Sequence, residues 1–254
     1  TSGTIRALGE AALEMTDVNI VNSVNAEVVK VKDLEKIVEK LLELPANRRT
    51  EVKGINENRV DAIHLGGLLL LELLKMAGTK EITLSDASLR EGLIIDYIEK
   101  NGLKLSDLVE GKNIRERSCL LMAMRYETDI EEKKHVSMLA LQLFDQLKEV
   151  HQMDSDAREL LQNACLIFDV GLFVNFQDYH KHAAYLILNG RLRGFNNEER
   201  ILLALMARYH RKSGPKKKHE IFGQLESKER TLLTGLVGIL RIAVALDKTK
   251  NQWV

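Results

Sequence analysis

The sequence is short of charge imbalance, of cysteine and of long apolar runs, and each shortage excludes something. Lysine and arginine number 37, as do aspartate and glutamate, so the formal net charge is zero. No global field draws such a chain to DNA or to a membrane surface, and any anion site has to come from local clustering. The two cysteines, Cys119 and Cys165, both lie in apolar helical stretches. Two buried thiols suit a reducing cytoplasm better than a disulfide scaffold. No apolar run approaches the roughly 18 residues that mark a membrane span. The N-terminus has no basic-then-apolar signal pattern and reads as the middle of a loop, as expected of a piece of a longer protein. Internal repeats and low-complexity tracts are also missing. What is there is 254 residues, 45% of them apolar, enough for one large or two medium domains with sizeable cores.

The first part mixes helix and strand signals. Thr1-Ser2-Gly3-Thr4 precedes a helical run over 5–15. Small hydroxyl residues and glycine at a helix start form an anion cradle, or serve as an ordinary N-cap. The β-branched alternation at 27–32 reads as a strand. Asp33 then caps a helix over 34–44, which Pro45 stops. A polar, basic loop over 47–58 leads to a helix over 58–76 whose centre is apolar nearly all round, so burial on most faces is expected. Gly66 and Gly67 within it cost about 1 kcal/mol each against alanine, which marks either tight helix packing or close approach of a ligand. His64 reads as a core-edge histidine. A strand at 81–84, a turn at 85–88 and a helix over 89–100 follow, with Arg90 and Glu91 in its first turn. Ligands of open α/β sheets sit at such strand ends.

After a turn-rich boundary near 111 the sequence is all helical, with helices over 114–126, 130–151, 154–168, 181–189, 196–208 and 227–247. The apolar run from Leu166 reaches Asp169 before Gly171 breaks it. An acid there costs several kcal/mol unless it is paired or on a metal, so Asp169 is either functional or a helix-end acid bonded to a loop. His180 and His182 open the next helix; His135 lies one turn into an earlier one, and Asp247 ends the last. At 207–219, ARYHRKSGPKKKH crowds Arg208, His210, Arg211, Lys212, Lys216, Lys217 and Lys218 around a Gly-Pro turn. Such a run is either solvated surface or a polyanion path.

Three stretches carry a resemblance. TSGTIRAL at 1–8, SDASLREG at 85–92 and ARYHRK at 207–212 resemble signatures of the Ppx/GppA family of exopolyphosphatases and guanosine pentaphosphate phosphohydrolases. Ser88 is a mild departure, standing where a small residue or glycine is usual. The resemblance implies an α-rich chain in two parts. Residues 1–111 would be the later part of an actin-like (ribonuclease H-like) α/β subdomain, and 112–254 an all-α HD-like domain. It implies release of terminal phosphate from polyphosphate or guanosine pentaphosphate by a glutamate base, glycine-rich loops and magnesium. The loops and glutamate are expected upstream of Thr1, so no catalytic residue is assigned. Ser2, Gly3, Thr4 and Arg90 are expected at the cleft, and Arg208, His210, Arg211 and Lys212 along a polyanion path. A homodimer is expected. His135, Asp169 and Asp247 match three of the four HD metal ligands. The fourth position is Phe168, which has no lone pair, so the site is expected to be vestigial and metal-free. A non-catalytic nucleotide- or polyphosphate-binding regulatory or dimerisation module is the alternative, and a true HD nucleotide phosphohydrolase a third.

Overall fold

The computed structural model describes residues 3–14, 23–85, 87–100 and 113–250. The chain divides into two compact units, Thr1–Leu105 and Ser106–Val254. The boundary expected near 111 lies in 101–112, outside the described residues. No helix among them is long and apolar enough to cross a membrane.

The first unit contains α1 (Gly3–Glu14), α2 (Val31–Glu43), α3 (Ile63–Met76), α4 (Leu89–Lys100) and an antiparallel pair, β1 (Val28–Lys30) and β2 (Glu81–Thr83). Val29 pairs with Ile82. Helices dominate, and the strand content is this one ribbon among the described residues. Leu34, Ile37, Val38 and Leu41 share one face of α2 and are all buried with Leu8, Ile63 and Leu84. The strand expected over 27–32 stops at Lys30. Val31 bonds to the Lys80 carbonyl and already opens the helix. Asp33 therefore lies in the first turn rather than at the cap and accepts from Lys36 at 2.9 Å. The basic loop has a structural use. Arg49 donates to the freed carbonyls of Leu41 and Leu44 at the end of α2, and to Val60 at 2.6 Å.

Burial on most faces does not hold for α3. It starts at Ile63, after a 3-10 turn at Glu57–Arg59, and buries Ile63, Gly67 and Leu70. Leu65, Leu69 and Met76 are exposed to 60, 64 and 83%. The glycines explain which stripe is covered. A Cβ at Gly66 would fall 2.7 Å from Thr4 Cγ2, and one at Gly67 would fall 2.6 Å from Val38 Cγ2. Tight packing against α1 and α2 accounts for both.

The second unit is helical throughout its described residues: α5 (Ile114–Arg125), α6 (Ile130–Gln146), α7 (Lys148–His151), α8 (Ser155–Ile167), α9 (Tyr179–Asn189), α10 (Asn197–Tyr209), α11 (Glu220–Gln224) and α12 (Ser227–Leu246). Local signals set their starts. Asn113, Asp129 and Asp154 accept first-turn N–H groups, and Asn196 forms a reciprocal capping box with Glu199. The helix expected over 130–151 is interrupted at Leu147, and the five residues of α11 are too few for apolar spacing to mark a helix. Helix α8 packs on α5, α6 and α10, α9 lies on α10, and α12 crosses α6 and α10. Leu161, Ile167, Leu203, Met206, Leu233 and Leu236 fill the middle. Gly171 sits in a 3-10 turn, Val170–Phe173, pressed on α9. A Cβ there would fall 2.1 Å from the Tyr179 carbonyl oxygen and 2.3 Å from the Ala183 nitrogen. Only glycine lets the two backbones meet.

Candidate functional site

In the first unit the expected cleft residues are mostly engaged in packing. Ser2 lies outside the described residues. Gly3 opens α1 under the Arg59 guanidinium, whose Nη2 would be 2.4 Å from an added Cβ. Thr4 turns its methyl onto α3 at Gly66. Arg90 is exposed in the first turn of α4. The SDASLREG stretch has a local explanation. Ser88 donates its backbone N–H to Glu91 Oε2 at 2.7 Å, and its hydroxyl accepts the Glu91 N–H at a longer 3.4 Å. That reciprocal pair starts α4, and Ser88, the departure from the family pattern, supplies it.

In the second unit the end of α10 meets the start of α9. They enclose a recess of about 230 Å³ lined by Asp178, His180, Lys181, Arg208, Lys212 and His219, with Tyr209 and Ser213. Arg208 and Lys212 stand there as charges. Arg211 and His210 do not line it. The Arg211 guanidinium lies 4.5 Å over the Tyr179 ring. His210 is buried, with Nδ1 2.6 Å from the Ala207 carbonyl oxygen and Nε2 3.1 Å from the Tyr179 hydroxyl. Its ring also meets Phe168 edge-on at 4.9 Å. His210 is thus a core histidine, turned away from the recess because both ring nitrogens find partners inside.

Sequence reading assigned no role to Lys181, His180, Asp178 or His219. Asp178 takes a left-handed backbone, φ 58°, just before α9. Its carboxylate accepts from Lys212 at 2.6 Å and Lys181 at 2.9 Å, and the two lysines hold it well below the usual carboxylate range. Burial, then the charges of Arg208 and Lys212, push His180 down to about 4, so it is neutral near pH 7. His219 is fixed by the Tyr209 hydroxyl, 2.8 Å from Nδ1. The recess thus sets three cations against one carboxylate. Beside it, sharing Lys181, Arg208, Tyr209 and His219, runs a slot of about 390 Å³ walled by Ala184, Tyr185, Leu188, Ile201, Leu205 and Ile221.

The HD-like positions are buried but do not form a ligand group. His135 lies on α6, Asp169 follows α8 and Asp247 ends α12. Among the described residues no group of three or more His, Cys, Asp or Glu is arranged to hold a metal ion. Asp169 is instead paired with Lys133, wholly buried on α6, whose Nζ is 2.5 Å from Asp169 Oδ2 and 3.0 Å from Glu132 Oε1. The ammonium also sits 4.4 Å over the Phe168 ring. Burial, opposed by Lys133, raises the Asp169 pKa. Lys133 escaped sequence reading because EEKKH looks like a solvated run of charge. The acid in the apolar run is stabilised by pairing, one of the two routes open to it.

Comparison with known families covers both units. Residues 114–253 match the family described as Ppx/GppA phosphatase, domain III. Residues 1–101 match the Ppx/GppA phosphatase family itself. Nearly every residue falls under one match or the other, in the order the three signature stretches gave, and the chain belongs to the Ppx/GppA phosphatase family.

Proposed function

We propose that the recess between α9 and α10 holds phosphate groups of polyphosphate or guanosine pentaphosphate, for a hydrolase that releases the terminal phosphate. Membership of the family supports a hydrolase of exopolyphosphatase type. The observation that carries the recess reading is the convergence of Arg208, Lys181 and Lys212 on one small cavity in a chain of zero net charge. Arg208 offers a planar fork suited to two phosphate oxygens. Asp178 holds the two lysines in place, and an arriving phosphate oxygen competes for the same ammonium protons. His180, neutral, lines the recess without adding charge. Magnesium belongs to the family's reaction by resemblance, but the described residues offer it no ligand group, and no step is assigned to it. Two buried thiols, Cys119 and Cys165, support a reducing cytoplasm as the setting, and homodimerisation belongs to the same reading.

Calorimetric titration with long-chain polyphosphate tests the recess. Neutralising Arg208, Lys181 and Lys212 together should weaken binding at least tenfold and flatten its dependence on salt, since each phosphate contact contributes to that slope. Unchanged affinity and slope would sink the reading.

A second reading, a nucleotide-binding regulatory module, is favoured by the apolar slot that shares Lys181, Arg208, Tyr209 and His219 with the recess. A nucleoside polyphosphate would lay its base along Tyr185 with its phosphates at Arg208. Tyr185→Ala, at an exposed position, should then weaken guanosine tetraphosphate several-fold and leave tripolyphosphate unaffected, as read by the same titration.

A further inference from the structure

We propose that the Lys133 ammonium is a resident cation standing in place of the metal ion at the HD-like centre, and that it closes this centre to divalent ions. Three observations meet there. Asp169, the one HD-like acid next to position 168, spends Oδ2 on Lys133 Nζ at 2.5 Å. Phe168 turns its ring face to the same ammonium at 4.4 Å. Lys133 is buried to within 1% of its side-chain surface although it carries a charge.

The chemistry of the two kinds of cation explains why these residues occur together. A divalent ion needs lone pairs, which an imidazole at 168 would supply and a phenyl ring cannot. An ammonium brings its own protons and needs acceptors plus, at most, an electron-rich face, which Phe168 provides. Phe168 and Lys133 are therefore two halves of one exchange. The charge balance agrees. Glu132 Oε2 binds Lys250 at 2.6 Å, so two carboxylates, Asp169 and Glu132, face two ammonium groups. A divalent ion entering this cluster would find Glu132 and Asp169 Oδ2 already matched and its place at that oxygen filled by Lys133; Asp169 Oδ1 and Asp247 Oδ2, buried without a hydrogen-bond partner, are the acceptors left over.

The exchange also ties the centre to the recess. The ring of Phe168 packs on His210, His210 bonds the Tyr179 hydroxyl, and Arg211 lies over Tyr179. A fixed internal cation thus anchors the contacts that support the end of α10, where Arg208 stands.

The test uses the whole chain and Mn²⁺ as probe, read by thermal unfolding and by electron paramagnetic resonance of free Mn²⁺. The wild-type chain should bind no stoichiometric Mn²⁺, and its Tm should not move in millimolar Mn²⁺. The pair Lys133→Met with Phe168→His should gain an Mn²⁺-dependent rise in Tm of several degrees, abolished by adding Asp169→Asn. One equivalent of Mn²⁺ bound by the wild type and released by Asp169→Asn would overturn the proposal. So would a folded double variant indifferent to Mn²⁺. Should the double variant not fold, two measurements still decide. One is the wild-type titration. The other compares Lys133→Met with Lys133→Met/Asp169→Asn, where the single change should unfold at the lower temperature because it strands a buried carboxylate. Equal Tm values for wild type and Lys133→Met would refute the proposal.

Discussion

At Asp169 and His210 the same physics acts on opposite charges. Both are buried, and burial disfavours the charged form of each. Asp169 meets an ammonium, which opposes but does not cancel the upward push of burial on its pKa; His210 meets a carbonyl and a hydroxyl, so it stays neutral. Burial pushes His210 down to about 4 from an unfolded value near 6.5. Between those values the unfolded chain binds more protons than the folded one, so stability must fall as pH falls from about 6.5 towards 4. The loss attributable to this one group approaches roughly 3 kcal/mol at the acid end. Urea unfolding at pH 7 and pH 4.5 should show it, and His210→Gln, which cannot take up that proton, should have a smaller difference between the two.

At the scale of elements, the turn at Gly171 places the end of α9 that lines the recess. Its backbone touches Tyr179 and Ala183 too closely for any Cβ, and Asp178, His180 and Lys181 follow from where that contact fixes the helix start. Gly171→Ala forces two backbone segments apart and should cost about 1–3 kcal/mol, the usual range for overpacking. Because the displaced element carries the recess lysine, polyphosphate binding should weaken in the same variant; unfolding curves and titration together check this. Helix α3 gives the reverse lesson. Its composition asked for burial on most faces, and Leu65, Leu69 and Met76 remain exposed. Periodicity says that a segment is helical and apolar, but what covers it is a property of neighbours.

For the molecule as a whole, zero net charge means that anion affinity is a local matter. Lys36 and Arg48, in the first unit, are exposed and matched by Asp33 and Glu51 within a turn. Such pairs contribute little field beyond a Debye length of about 8–10 Å. Replacing Lys36 and Arg48 by glutamine should therefore leave polyphosphate affinity and its salt slope as they are, in contrast to the recess triple. Titration at 50 and 200 mM salt distinguishes a local cluster from a general attraction of the chain for anions.

The sequence by itself determined most of the long helices of the second unit, because their caps at Asn113, Asp129, Asp154 and Asn196 and their apolar spacing act within four residues; the break at Leu147 and the short α11 were not legible in it. It also determined the break at Gly171, the cluster of charge at 207–219 and the loss of a lone pair at Phe168. Only the tertiary structure decided that Arg208 lines the recess while His210 faces the core, that Lys181 joins it from α9, and that Lys133 turns inward from a run of charges. The reason is that a charge can be buried only against a partner, and for Lys133 that partner, Asp169, lies 36 residues away on another helix's end. Pairing over that distance leaves no local pattern in the chain.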